Sequence, residues 1–157
     1  KEKSMERTLV ILKPCTIQRG LIGEIIARFE KKGLILEGMK MTWLTDEILS
    51  EHYAHLKERS FFQRVKDARA VCPVIVCCWK GVDAVNVVRT LAGSTNGRNA
   101  APGTIRGDYS MSVQENIVHA SDSPETAAIE LKRFFNEDEL FSYETKNLLS
   151  LYANDEF

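Results

Sequence analysis

Hydrophobic and polar positions along the chain change period several times, and each change marks an element. Thr8–Leu12 is a short β-rich apolar run, which predicts a buried strand ending at Lys13-Pro14. In the next stretch Leu21, Ile22, Ile25, Ile26 and Phe29 recur at helical spacing, and Gly33 follows as a C-terminal cap. From Leu34 to Trp43 the period falls to two, with Met39, Met41 and Trp43 alternating against Lys40 and Thr42. Thr45 or Asp46 can cap a helix through ILSEHYAHLKE, and a second short helix is predicted over Phe61–Arg69. Val74–Trp79 is unbroken and apolar, as in a fully buried strand. Asp83–Leu91 sets Val85, Val88 and Leu91 on one helical face. Asn116–His119 is a short strand. Ser123 then caps a helix with Pro124 at its first position, running to about Phe135. A mixed tail with several aromatics completes the chain.

Without the helical hairpin at 45–69, the order is βαββαβ. This is an α+β chain with the ferredoxin-like split unit, a four-stranded antiparallel sheet covered by helices. That topology sets the first and fourth strands side by side, expected in the middle of the sheet. Gly93–Gln114 shows no period. A loop this long inside a compact domain is functional or disordered, and its arginines, Arg98 and Arg106, with Arg89 just before it, suit a phosphate clamp.

The 157 residues fit one domain with a real core. Lys1–Ser4 read as an added remnant, with Met5 as the natural start and the domain over 5–157. A net charge of −1 gives no general attraction to nucleic acid or anionic membrane, so any anion site is local. No apolar run is long enough to span a bilayer, and no signal peptide is evident. Cys15, Cys72, Cys77 and Cys78 have no metal-ligand spacing, and read as reduced thiols of a cytoplasmic protein.

Neither a G-x-x-x-x-G-K-[ST] nor a G-x-G-x-x-G motif is present, so side chains must hold any phosphates. The available cations are Lys13, Arg59, Arg89 and Arg106. His119 ends a strand, where sites form. Ser121, Asp122 and Ser123 follow it, and Glu130 lies about two helical turns into the next element, able to reach back. A carboxylate on one ring nitrogen fixes the tautomer and leaves the other as a nucleophile. A lone histidine is more commonly a satisfied core or surface group; the arginines and the loop shift the balance toward phosphoryl transfer through phosphohistidine. His52 and His55 read as a solvated helix face rather than a metal site. Tyr53, Phe61 and Phe62 read as core, or as a ring stacking on a base.

The segments ERTLVILKP, QRGLIGEIIARFEKKG, HY-x-x-LKER-x-FF, TNG-x-x-x-APGTIRGD and NIVHASDS together resemble the nucleoside diphosphate kinase family along nearly the whole chain. The resemblance implies ping-pong transfer of a γ-phosphoryl group from a nucleoside triphosphate to a nucleoside diphosphate, with Mg²⁺ held mainly by phosphates and water, near Asp122. It makes His119 the pros-phosphohistidine and matches Glu130 and Ser121 to the residues that orient it. Lys13, Tyr53, Arg89, Thr95, Arg106 and Asn116 match phosphate and sugar ligands, and Arg59 a structural or phosphate-side arginine. Phe61 and Val113 match the two sides of the base site. The Gly93–Gln114 loop matches an intersubunit loop, and the long tail implies a homo-oligomer, a hexamer rather than a tetramer. The chain departs from the family pattern at Cys15-Thr16, where Asp-Gly is usual, and at His55, Ser60 and Ala120, where a carboxylate, Pro and Gly are usual. Two competing readings are a module binding single-stranded nucleic acid and an inactive homologue. The charge balance and the missing aromatic RNA-binding strand oppose the first; intact His119, Lys13, Arg89, Arg106 and Asn116 oppose the second.

Overall fold

A computed structural model describes residues 5–69 and 72–157. The expectation about Lys1–Ser4 therefore lies outside the described residues. The strands are β1 (Glu6–Leu12), β2 (Ile35–Thr42), β3 (Val74–Gly81) and β4 (Val118–Ala120). They form one antiparallel sheet in the order β2-β3-β1-β4. The ferredoxin-like expectation holds, with one correction. β1 and β4 are neighbours, but β4 lies at the edge, and the middle belongs to β1 and β3. The edge position leaves the loops around His119 open on one side.

The helices are α1 (Pro14–Gln18), α2 (Ile22–Lys32), α3 (Asp46–His52), α4 (Phe62–Arg69), α5 (Ala84–Ala92), α6 (Ile105–Tyr109), α7 (Pro124–Phe134) and α8 (Leu148–Leu151). Strand alternation divides the core in two. Val10, Leu12, Cys77 and Trp79 pack with Ile25 and Phe29 of α2 and Val88 of α5 on one face. Leu9, Ile11, Val76 and Cys78 pack with Leu49 of α3 and Leu131 and Phe134 of α7 on the other. Because helices cover both faces, Leu9–Leu12 of β1 and Val74–Trp79 of β3 are continuously apolar instead of alternating.

Three segments differ from the sequence reading. Pro14 opens the one-turn helix α1, where the sequence pattern predicted only the end of a strand, since proline suits the first helical position. The helix begun at Thr45, whose hydroxyl accepts from Ile48 N, stops at His52, and a 3₁₀ turn, Ala54–Leu56, replaces its second half. The aperiodic loop contains α6, capped by Thr104, whose hydroxyl accepts from Gly107 N. Five residues are too few for periodicity to reveal.

The tail is tied to β2 and its surroundings. Phe141 N donates to Glu37 O, Tyr143 Oη donates to Leu36 O, and Lys40 Nζ lies 2.8 Å from Glu139 Oε1. Gly38 sits at a register shift in β2, where an added Cβ would come 2.6 Å from the Leu140 side chain. Beyond it, Met39, Met41 and Trp43 are exposed.

Candidate functional site

The turn before β4 carries the strain of the site. Ile117, β-branched and fully buried, has φ 74°, a conformation costly for such a residue. Its carbonyl accepts from Lys13 N at 3.0 Å and from the buried Thr16 hydroxyl at 2.5 Å. Thr16 stands where glycine, which has no hydroxyl to donate, is usual in the family that the sequence resembles. β4 accordingly starts at Val118, two residues later than the pattern suggests.

His119 lies opposite Ile11 in the β1–β4 register, with 28% of its side chain exposed. Ser123 caps α7 by accepting from Thr126 N, and this fixes the helix start. Glu130, with Ala127, Leu131 and Phe134, then falls on the buried face of α7. Its Oε2 and Oε1 lie 2.9 and 3.1 Å from His119 Nε2, and Ser121 Oγ donates to Oε1 at 2.6 Å. Burial alone would raise the Glu130 pKa. The contacts with His119, Ser121 and His52 outweigh it, and the net shift is downward. An ionised Glu130 is an acceptor only, so Nε2 of neutral His119 carries the proton and Nδ1 keeps its lone pair. Among the described residues no hydrogen bond reaches Nδ1.

The ring opens on a cavity of about 700 Å³ that Lys13, Tyr53, Arg89, Thr95, Arg106, Asn116 and Asp122 also line. Asn116 organises it. Its Oδ1 accepts from Lys13 Nζ and its Nδ2 donates to Thr95 O at 2.9 Å, joining the end of β1 to the long loop. Arg106 is a staple: Nε, Nη1 and Nη2 donate to Asn116 O, Gly93 O and Val118 O at 3.1, 2.9 and 2.7 Å. Gly93 sits at φ 83°, where a Cβ would come 2.7 Å from Thr104 Cβ. Burial, and then the neighbouring charge of Arg89, push the Arg106 pKa down. Both causes disfavour the bare cation and favour an anion beside it.

Phe61, Val113 and Arg59 do not line this cavity. Phe61 is half-buried, and Val113 and Arg59 are exposed. His52 requires a correction. It is not on a solvated face: it is buried, edge-on to His119 at 4.7 Å between centroids, and it also packs against Tyr53 and Phe134. Arg133, which the sequence reading did not single out, donates from Nη1 to His52 Nδ1 at 2.8 Å. The i, i+3 spacing from Glu130 to Arg133 was the available signal.

His52, His119 and Glu130 bring possible ligand atoms within 4.8 Å of one another. Their nitrogen-rich set does not suit magnesium, and Arg133 and Ser121 already engage two of the three residues. A magnesium ion carried by phosphates needs only one or two carboxylates and room for water. The exposed Asp122 at the cavity fits that requirement.

A family model described as nucleoside diphosphate kinase matches residues 6–140. The nucleoside diphosphate kinase of Parabacteroides distasonis is 86% identical over 153 residues, covering 98% of this chain and 100% of that one. The nucleoside diphosphate kinase of Pyrococcus abyssi is 50% identical over 145 residues, covering 90% and 91%. Among solved structures, the Halobacterium salinarum enzyme in complex with CDP superposes with a TM-score of 0.92 at 39% identity, covering 95% of this chain and 99% of that one.

Proposed function

Because the chain belongs to the nucleoside diphosphate kinase family, we propose that His119 Nδ1 is the atom that carries the phosphoryl group between its two substrates. The enzyme transfers the γ-phosphoryl group of a nucleoside triphosphate to a nucleoside diphosphate in two displacements. In the first, Nδ1 attacks γ-phosphorus while the bond to the β–γ bridging oxygen breaks, and the diphosphate leaves. In the second, the terminal oxygen of another diphosphate attacks phosphorus, and the N–P bond returns its electron pair to the ring. The observation that carries this reading is the asymmetry of the His119 ring. Nε2 is fixed by Glu130, and among the described residues Nδ1 has no hydrogen-bond partner, at the edge of a cavity lined by Lys13, Arg89 and Arg106.

The protein's work is positioning and charge neutralisation, which is what phosphoryl transfer needs. Lys13 and Arg89 meet the β and γ phosphates. Arg106 meets them with the donors its three carbonyl contacts leave over, from a guanidinium that cannot swing away. Tyr53, Thr95 and Asn116 hold phosphate or sugar. Glu130, itself held by Ser121, stabilises the Nε2–H as positive charge develops on the ring. A divalent metal is expected of a kinase of this family. Magnesium suits the site, where Asp122 would hold it through water and it would neutralise phosphate charge. His55, where the family usually has a carboxylate, also lines the cavity, so one fewer carboxylate orders the water around the metal.

The family resemblance assigns Phe61 and Val113 to the two sides of the base, although neither lines the cavity. No amide or carboxylate is assigned to a base edge. Stacking contributes about 1–3 kcal/mol per base and tolerates every base. Purine and pyrimidine diphosphates, ribo and deoxy, are therefore all accepted from ATP, with purines modestly ahead. The test is kcat/KM for a panel of diphosphates with a common donor and no nucleic acid present. Absence of transfer would remove the function. A gap of about 10⁴ between two bases would require an edge-reading residue.

Among the described residues no helix is long and apolar enough to cross a membrane. Cytoplasmic placement is supported by four free cysteines, three of them buried, with burial pushing Cys77 and Cys78 up to about 12. We assign a closed homo-oligomer, a hexamer. The exposed Met39 and Met41 on edge strand β2, with Trp43 just past its end, are an apolar row of the kind that assembly covers. A stable monomer in light scattering at micromolar concentration would contradict this.

A further inference from the structure

Glu130 has two histidines within reach, and catalysis as proposed above requires that it serve only one. His119 Nε2 lies 2.9 Å from Oε2, and His52 Nδ1 lies 3.6 Å from the same oxygen. If His52 carried a proton on Nδ1, it would compete for the carboxylate and place a positive charge beside the nucleophile.

We propose that Arg133 is a positioning residue: by donating to Nδ1 of His52, it holds that buried ring in the neutral tautomer with its proton on Nε2, and so reserves Glu130 for His119. Hydrogen-bond direction decides the tautomer. Arginine has no acceptor and does not lose its proton in proteins, so the 2.8 Å contact from Arg133 Nη1 requires a lone pair on His52 Nδ1. A ring with that lone pair in use cannot be an imidazolium. Arg133 is held for this task by Glu51, whose Oε1 is 3.1 Å from its Nε.

The charged and titratable groups around His52 act together. Burial contributes most, followed by His119 on β4, and both favour the neutral ring. Glu130 on α7 opposes them. Arg133 on α7 and His55 on the following 3₁₀ turn favour neutrality again, and the net position is about 3. Glu51 on α3, and the rings of Tyr53 and Phe134, complete the surroundings. His52 is thus neutral at any pH at which the enzyme works. Removing Arg133 frees Nδ1 and deletes a positive neighbour, so the His52 pKa rises. On acidification the protonated ring then draws Glu130 from His119.

The inference rests on His119 being the nucleophile, and the experiment separates the two. Arg133→Leu and Arg133→Met, the second keeping an unbranched apolar stem, are compared with wild type by histidine NMR with nitrogen labelling and by kcat/KM against pH. In wild type, His52 shows only the Nε2–H tautomer and does not titrate near neutrality. In both variants the Nδ1–H form appears, and titration moves up by about 1–3 units, the range expected for a nearby charge. The acid limb of kcat/KM moves with it, so activity at pH 5 relative to pH 8 falls by up to about tenfold further than in wild type. Adding His52→Gln to either variant returns the limb to its wild-type position. A variant with an unchanged tautomer and an unmoved acid limb overturns the role of Arg133. Wild-type protein that transfers no phosphate overturns the underlying function, and this inference with it.

Discussion

Replacing His119 with glutamine lowers turnover by about 10⁴–10⁶-fold, the scale on which loss of a nucleophile is felt, while leaving the fold intact. The side chain is partly exposed and lies at the second position of a three-residue edge strand, so truncation opens no core cavity. Its loss leaves Glu130 with the Ser121 hydroxyl and with His52 nearby, enough to keep the carboxylate engaged. Glutamine can still donate to Glu130 but cannot accept a transferable phosphoryl group. The check is steady-state transfer from ATP to a second diphosphate, beside a thermal melt. A variant retaining a tenth of wild-type turnover would exclude His119 as the carrier.

Arg106 should show the second largest loss, and the structure makes it a double one. As a phosphate clamp its removal costs about 3 kcal/mol of transition-state stabilisation, roughly a hundredfold in rate. As a staple it donates to three backbone carbonyls, and Arg106→Ala leaves Asn116, Gly93 and Val118 oxygens without that donor. A net contribution of about 1–3 kcal/mol for each bond from a charged donor makes the variant less stable as well as slower. Arg106→Lys separates the effects. It keeps the charge but not the planar fork, so it recovers part of the rate and little of the stability. Chemical denaturation and kcat/KM, measured on both variants, check this. An unchanged turnover in Arg106→Ala removes the loop from the mechanism.

The sheet was legible because helices bury both of its faces. Leu9–Leu12 and Val74–Trp79 leave few residues of other kinds, and such runs stand out in any sequence. His119 and Glu130 were legible as a pair because Ser123-Pro124 fixes where α7 starts, and helical spacing then carries Glu130 back beneath the ring. Three things were not legible. Helix α6 is shorter than two turns and carries no period. The φ of Ile117 is imposed by Thr16 and Lys13, about a hundred residues earlier in the chain, and no local preference of isoleucine announces it. His52 reads as polar on a helix flanked by Glu51 and Tyr53, and only the packing of α3 against α7 turns it toward His119. The edge placement of β4 was missed for a related reason: pairing order is set by long-range contacts, and a three-residue strand contributes few.

One ring nitrogen decides the route of the phosphoryl group. Glu130 occupies Nε2 of His119, so the phosphoryl group must travel on Nδ1. Enzyme incubated with ATP and magnesium, freed of nucleotide and kept at alkaline pH, should carry one phosphoryl group per chain, stable in base and labile in acid. NMR of the phosphoenzyme with nitrogen-labelled histidine should show the phosphorus coupled to Nδ1 of His119. Coupling to Nε2, or a phosphoryl group on any other residue, would contradict it.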